Sequence, residues 1–282
     1  MPDTLTGIIP VAPTVFHDDE SLDLDGQRRV VDFLVDARAD AVCILANYSE
    51  QFSLDDDERR RVLDATMEAA DGRLPVMVTT SHYSARIAAR RSREAAAAGA
   101  DVVMLMPPFF GATMQVGERQ VLEYFRAVAE GLDADIMVQD APLSTTPLSV
   151  GLIARLAAEI PRLRYAKVEV ARAAAKIAEL GEAAGADLPG LFDGEEGVTL
   201  IPDLQAGAVG TMSSCVAPEV LGAVVREFAA GDVARATERW EDVLPLIHFE
   251  NRQCGLTAAK VLLADGGVIA SERTRAPFAP LP

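Results

Sequence analysis

The sequence predicts an α/β fold, a closed (β/α)8 TIM barrel with a C-terminal helical extension, and three observations carry that expectation. Eight short apolar runs alternate with longer amphipathic stretches rich in Ala and Arg, the pattern of βα units that build a parallel sheet. The runs recur at a spacing of roughly 25 to 35 residues, and eight such repeats fit a barrel. No GxGxxG follows the first run, which ranks a doubly wound open sheet well below the barrel.

Taken in order, the strand candidates are Gly7 to Pro13, Ala41 to Ala46, Pro75 to Thr80, Asp101 to Met106, Ala134 to Gln139, Leu163 to Val168, Gly190 to Gly194 and Ala208 to Ser214. Helices are expected near 25–39, 55–70, 84–98, 117–131, 149–159, 171–185 and 196–206. The second helix carries an explicit start signal in SLDDDERRRV: Ser53 or Asp55 can cap its first turn, and Asp56, Asp57 and Glu58 suit the positive end of the helix dipole. Three further helical stretches, PEVLGAVVREFAAG, DVARATERWEDVLPLIHFE and CGLTAAKVLLADGG, follow the last strand. The expected organisation is a barrel over 1–214 with helices of 215–282 packed on it, one structural unit without an internal linker.

Composition narrows the function. Half of the 282 residues are hydrophobic, enough for a large core. A formal net charge of −17 argues against nucleic acid or an anionic membrane as partner, since either needs a concentrated basic face. No apolar run approaches the length of a membrane span, and MPDTLTGIIPVAP lacks the basic start and long apolar stretch of a signal peptide, so the cytoplasm is the expected compartment. Cys43, Cys215 and Cys254 are widely spaced and form no CxxC pair, which points to buried thiols rather than a disulfide framework or a zinc site.

Only three of the 26 basic residues are lysines: Lys167, Lys176 and Lys260. Arginine serves as well as lysine for a solvated charge, but only the lysine amine can lose its proton and attack a carbonyl carbon. Lys167 lies in the apolar run LRYAKV near the carboxyl end of the sixth strand candidate, the end at which barrel chemistry sits. Tyr165, Lys167 and Glu169 share one face if the strand stays regular. Facing inward, Lys167 is a desolvated nucleophile; facing outward, it is a stem packed in the helical layer with its ammonium in water. Lys176 and Lys260 fall in helical runs and read as solvated charges.

The same strand-end filter selects Asn47, Tyr48, Ser49, Glu50 and Gln51 in the second βα loop, where backbone N–H groups and hydroxyls can bind a carboxylate; an ordinary polar loop is the plainer reading. Gln139 ends the fifth strand and Met212 lies in the eighth. His82, after the third strand, is either a ligand-binding group or a hydrogen-bonded structural one, and no His/Cys/Asp set with metal spacing accompanies it. MPPFFG, Met106 to Gly111, reads as a rigid turn with aromatic walls.

In order along nearly the whole chain, these pieces resemble the dihydrodipicolinate synthase/N-acetylneuraminate lyase family of class I aldolases and dehydratases. GIIPVAPTVFHDDESLD resembles its first strand and loop, ANYSEQFSLDDDER stands in the place of its G-T-T-G-E motif, MLMPPFF resembles its P-Y-Y segment and MVQDAP its Y-N-x-P segment. YAKVEV resembles its Schiff-base lysine strand, and FDGEEG and GAVGTMSS its later G-x-D and G-x-I-S elements. Three departures stand out: Gln139 where the family has a catalytic tyrosine, Asn47 where a threonine relays protons, and Phe109 and Phe110 where the P-Y-Y phenol stands. NYSEQF, TSHYS, MVQDAP, KVEVARAAAK and ENRQCGLTAAKVLLADGGVI resemble most a branch that dehydrates 2-keto-3-deoxy sugar acids, 2-keto-3-deoxy-L-arabonate among them, to 2,5-dioxopentanoate.

The resemblance implies a lyase of pentose catabolism in which Lys167 forms a Schiff base with the substrate ketone and no metal or organic cofactor takes part. Glu169 and Tyr48 are then the proton carriers. Asn47 and Ser49, with Tyr48, hold the substrate carboxylate; Gln139, Met212 and His82 line the substrate. The resemblance further implies a homotetramer acting on a small keto acid. The alternatives are a pyruvate-forming or pyruvate-using aldolase of the same family, or a catalytically inactive barrel that binds keto acids.

Overall fold

The computed structural model describes residues 4–109 and 116–281. Eight strands appear where the apolar runs predict them: β1 (Gly7–Ile8), β2 (Val42–Ile44), β3 (Val76–Thr79), β4 (Val102–Leu105), β5 (Asp135–Asp140), β6 (Leu163–Val168), β7 (Gly190–Asp193) and β8 (Gly210–Thr211). They form one sheet in the order β1-β8-β7-β6-β5-β4-β3-β2. The pairings from β3 through β7 are parallel, and Val11, just past β1, makes a parallel bridge to Cys43 in β2. This cyclic order, with each strand beside its sequence neighbour, is that of a (β/α)8 barrel.

The helices are α1 (Leu24–Asp36), α2 (Asp56–Ala70), α3 (Ala85–Ala97), α4 (Glu118–Ala129), α5 (Val150–Glu159), α6 (Ala173–Ala184), α7 (Leu200–Gln205), α8 (Pro218–Ala229), α9 (Val233–Phe249) and α10 (Leu256–Asp265). Of the two candidates for the α2 cap, Asp55 is the one used. Its carboxylate accepts from the Glu58 amide while the Glu58 side chain accepts from the Asp55 amide, a reciprocal capping box. Helix α7 begins four residues later than periodicity suggests, because Glu196 and Gly197 adopt left-handed φ values of 58° and 86° that a helix cannot contain.

The chain forms two compact units. The first gathers the N-terminal residues up to Thr6 with Met77–Glu195 and Thr199–Gly210. Its core is strand β4 to β6, whose Val102, Val103, Met104, Leu105, Ile136, Met137 and Val138 are all buried, as expected for parallel strands covered on both faces. The second gathers Gly7–Val76, Glu196–Val198 and Thr211–Pro282. There α1 packs on α2, and α8 packs on both β1 and α9. The C-terminal helices thus cluster with the first two βα repeats. Among the described residues no helix is long and apolar enough to cross a membrane.

Candidate active site

In the first unit, sheet register decides which side chains meet. Gln139 pairs with Lys167 and Lys167 with Phe192, so these three share one face; Asp140, Val168 and Asp193 share the other. On the first face Lys167 is 3% exposed, and its Nζ lies 2.5 Å from Glu169 Oε1. Gln139 Nε2 donates to both Glu169 oxygens at 3.2 Å, while Gln139 Oε1 is buried and has no hydrogen-bond partner among the described residues. The result is an amine, a carboxylate and an amide in contact, with an acceptor unsatisfied. Glu169 lies one residue past the strand end, yet its amide still donates to Asp140 O at 2.9 Å, which continues the ladder and fixes its direction. Tyr165 lies deeper, its hydroxyl accepting from the Leu5 amide at 3.1 Å.

Gly194 makes this packing possible. A Cβ there would lie 2.6 Å from Glu169 Cγ, 2.7 Å from Lys167 Cγ and 3.0 Å from Lys167 Cε, all closer than ordinary contact. Sequence reasoning placed the FDG element at a strand end without assigning Gly194 a role, since close approach leaves no mark beyond the glycine itself.

The opposite face corrects one expectation. Lys176 does not end in solvent: its Nζ sits 2.6 Å from Asp140 Oδ2 and donates to Leu148 O at 2.5 Å. Burial raises the Asp140 pKa, and the Lys176 ammonium opposes that rise. Beside it Asp193 and Asp203 are both fully buried, and Thr199 donates to Asp203 Oδ2 at 2.7 Å. Burial, reinforced by the neighbouring Asp193 carboxylate, pushes Asp203 up to about 8. His82 is tied down as well. Its Nδ1 accepts from the Ser84 amide at 2.9 Å, so the neutral ring carries its proton on Nε2, and its ring centroid lies 4.3 Å from that of Tyr83. Of the MPPFFG turn, Phe110 and Gly111 lie outside the described residues.

In the second unit the loop after β2 folds as two short 3-10 turns, Asn47–Ser49 and Gln51–Ser53. The Ser49 amide donates to Ala46 O at 3.0 Å and its hydroxyl to Ala12 O at 2.6 Å, while Thr14 Oγ1 donates to Ser49 O at 2.6 Å. Both Ser49 donors are therefore spent inside the protein. Asn47, accepting at Oδ1 from Gln51 Nε2 at 2.6 Å, and the half-buried Tyr48 remain at the loop surface. Met212 is fully buried just past β8.

Two residues of this unit depart from their sequence reading. Lys260 is completely buried rather than solvated, with Nζ 2.5 Å from Glu50 Oε1. Burial pulls its pKa down, and Glu50 opposes that shift. Cys254 is half-exposed rather than buried; Cys43 and Cys215 are buried as expected. Glu250, on a π-helical turn over Glu250–Cys254, is buried, and burial lifts its carboxyl to about 7 against a hydrogen bond from Ser214. Among the described residues no cluster of three or more His, Cys, Asp or Glu is arranged to hold a metal ion.

Residues 4–282 match the model of the Dihydrodipicolinate synthetase family. The chain belongs to that family. It is 47% identical over 272 residues, covering 96% of this chain and 88% of the relative, to an L-2-keto-3-deoxyarabonate dehydratase from Azospirillum brasilense. It is 31% identical over 244 residues, 86% of this chain and 80% of the relative, to a 4-hydroxy-tetrahydrodipicolinate synthase from Methanothrix thermoacetophila. The dihydrodipicolinate synthase of Rhodopseudomonas palustris superposes with a TM-score of 0.90 at 28% identity, over 98% of this chain and 93% of that one. These family members establish the (β/α)8 barrel expected from the strand spacing.

Proposed function

We propose that this protein is a Schiff-base hydro-lyase that dehydrates a 2-keto-3-deoxy sugar acid, with 2-keto-3-deoxy-L-arabonate as substrate and 2,5-dioxopentanoate as product. The observation that carries the proposal is the 2.5 Å contact between the buried Lys167 amine and Glu169, together with the likeness to the Azospirillum dehydratase. Lys167 passes its proton to Glu169 and attacks C2 of the substrate; Glu169 returns that proton to the C2 oxygen, which leaves as water and gives an iminium that withdraws electrons from C3. Glu169 then takes a C3 proton, giving an enamine. The enamine expels the C4 hydroxyl, which leaves as water once protonated. Loss of a C5 proton from the conjugated iminium gives a dienol, whose tautomerisation places protons on C3 and C4 and leaves C5 as the aldehyde; hydrolysis of the C2 iminium adds back the water lost at C2 and frees Lys167. The net change is loss of one water.

Gln139 cannot titrate. Its two donors orient the Glu169 carboxylate, and its unsatisfied Oε1 suits a substrate hydroxyl as donor. A tyrosine at this position would instead supply a titrating phenol for carbon–carbon chemistry, so Gln139 favours dehydration over the aldolase alternative. Asn47 and Tyr48 are assigned to the substrate carboxylate, with Tyr48 as a second proton carrier. Ser49 is assigned to the shape of that loop, His82 to loop structure beside the substrate, and Met212 to apolar lining. The family resemblance extends the proposal to a homotetramer, which analytical ultracentrifugation tests.

The test of the reaction is a panel of 2-keto-3-deoxy acids with products identified by mass spectrometry. A dioxo acid one water lighter than its substrate, oxidisable by a semialdehyde dehydrogenase, is the expected product. Pyruvate as the product would establish the aldolase instead.

A further inference from the structure

The second unit contains a charged network that the reaction does not use. Glu50 is fully buried and adopts a left-handed φ of 55°, five residues after Leu45 at 56°. A side chain at such a φ is strained, so this loop conformation persists only where its surroundings impose it. The surroundings come from the far end of the chain. Lys260 Nζ donates to Glu50 Oε1 at 2.5 Å and to Arg273 O at 2.7 Å, and the Arg275 amide donates to Glu50 Oε2 at 2.8 Å.

Arg275 is itself saturated. Its guanidinium makes five hydrogen bonds: two to Glu58 at 2.6 and 2.7 Å, two to Glu20 O at 2.7 and 3.1 Å, and one to Ser53 O at 2.8 Å. That is the full donor complement of the group. Lys260 Nζ and the Arg275 guanidinium each lie 4.4 Å from the centroid of the buried Phe16 ring. Arg275 thus clasps both ends of the 50–58 stretch, through Glu50 at one end and Glu58 at the other, and its bond to Ser53 O closes the middle.

We infer that the C-terminal segment around Arg273 and Arg275, anchored by Lys260, is a strap that holds the Asn47–Ser53 loop in its carboxylate-binding conformation through Glu50. Lys260 and Arg275 are positioning residues: neither touches substrate, and both act on Asn47 and Tyr48 through the backbone that Glu50 fixes. The inference rests on the assignment of this loop to the substrate carboxylate. It means that affinity for the carboxylate is set by docking of the chain terminus, whereas imine formation at Lys167 is not.

The experiment compares Arg275→Ala and Arg275→Lys with the parent chain in two readouts. In the first, borohydride trapping on Lys167 is titrated with pyruvate and with hydroxyacetone, a ketone in which CH2OH replaces the carboxylate. Arg275→Ala should raise the half-saturating pyruvate concentration about tenfold or more, the range of a coupling of 1–3 kcal/mol, and leave that for hydroxyacetone within about twofold. Arg275→Lys, which keeps the charge but not the fork, should fall between. The second readout is amide hydrogen exchange over 46–54, which should accelerate in Arg275→Ala while β4 to β6 stay protected. Equal shifts for both ketones, or no shift for either, overturns the inference, as does unchanged exchange in the loop. If the parent chain itself traps neither ketone, the Schiff-base reading fails, and the exchange readout still decides the strap.

Discussion

Replacing Gly194 by Ala is the sharpest perturbation of the lysine environment. Gly194 does not occupy the left-handed region, so alanine is tolerated by the backbone and the whole effect is steric. The new methyl would lie 2.6 Å from Glu169 Cγ and 2.7 Å from Lys167 Cγ, inside ordinary contact at 3.4 Å. Lys167 is hemmed in by the sheet and 3% exposed, so Glu169 and the lysine stem must move together by most of an ångström. Overpacking of this kind costs about 1–3 kcal/mol of stability, and displacing a reacting group by about 1 Å costs roughly 100-fold in rate. The expected outcome is a fall in kcat/KM of roughly 100-fold with a drop in Tm of about 2–10 °C. A coupled semialdehyde dehydrogenase assay and differential scanning calorimetry measure the two. Parent-like kcat/KM in Gly194→Ala would refute the claim that Lys167 and Glu169 act from the geometry described.

Three further outcomes follow from the same geometry. Glu169→Gln keeps the shape and removes the proton acceptor, so kcat should fall by roughly 100-fold or more while the protein still melts cooperatively; retained turnover would move the base elsewhere. Gln139→Leu removes the two bonds to Glu169 and should lower kcat/KM by about 5- to 150-fold, the equivalent of 1–3 kcal/mol; steady-state kinetics with the dehydration substrate decides. Asp203 sits at about 8 in the folded chain against an ordinary aspartate value of 3.8, so the folded state holds a proton that the unfolded state releases. Stability from this group is therefore present below about pH 4 and is lost as pH rises towards 8. Asp203→Asn should flatten the decline of Tm between pH 5 and 8; an identical slope in parent and variant would contradict the assignment.

Much of the architecture was legible because periodicity and burial are local signals. Apolar runs such as DVVMLM and LRYAKV read as strand candidates, and β4 and β6 lie within them. Capping chemistry narrowed the start of α2 to two candidates, Ser53 and Asp55, of which Asp55 is used. Position within a strand also read through: Lys167 and Glu169, two apart, do meet on one face. What stayed hidden depends on partners distant in sequence. Lys260 looked like a solvated helix charge because its partner Glu50 stands 210 residues away, and nothing local distinguishes a buried ion pair from a surface one. Lys176 misled in the same way, its partner Asp140 lying on a neighbouring strand. The Ser49 hydroxyl suggested ligand binding, yet it donates a hydrogen bond to Ala12 O, 37 residues earlier.

The central claim is that the Lys167 amine bonds covalently to the carbonyl carbon of a keto acid. Incubation with 2-keto-3-deoxy-L-arabonate or pyruvate, borohydride reduction and peptide mapping by mass spectrometry test it directly. A reduced adduct on Lys167, absent from Lys167→Arg, is the predicted result. An unmodified Lys167 peptide, or an adduct confined to Lys176 or Lys260, would contradict it.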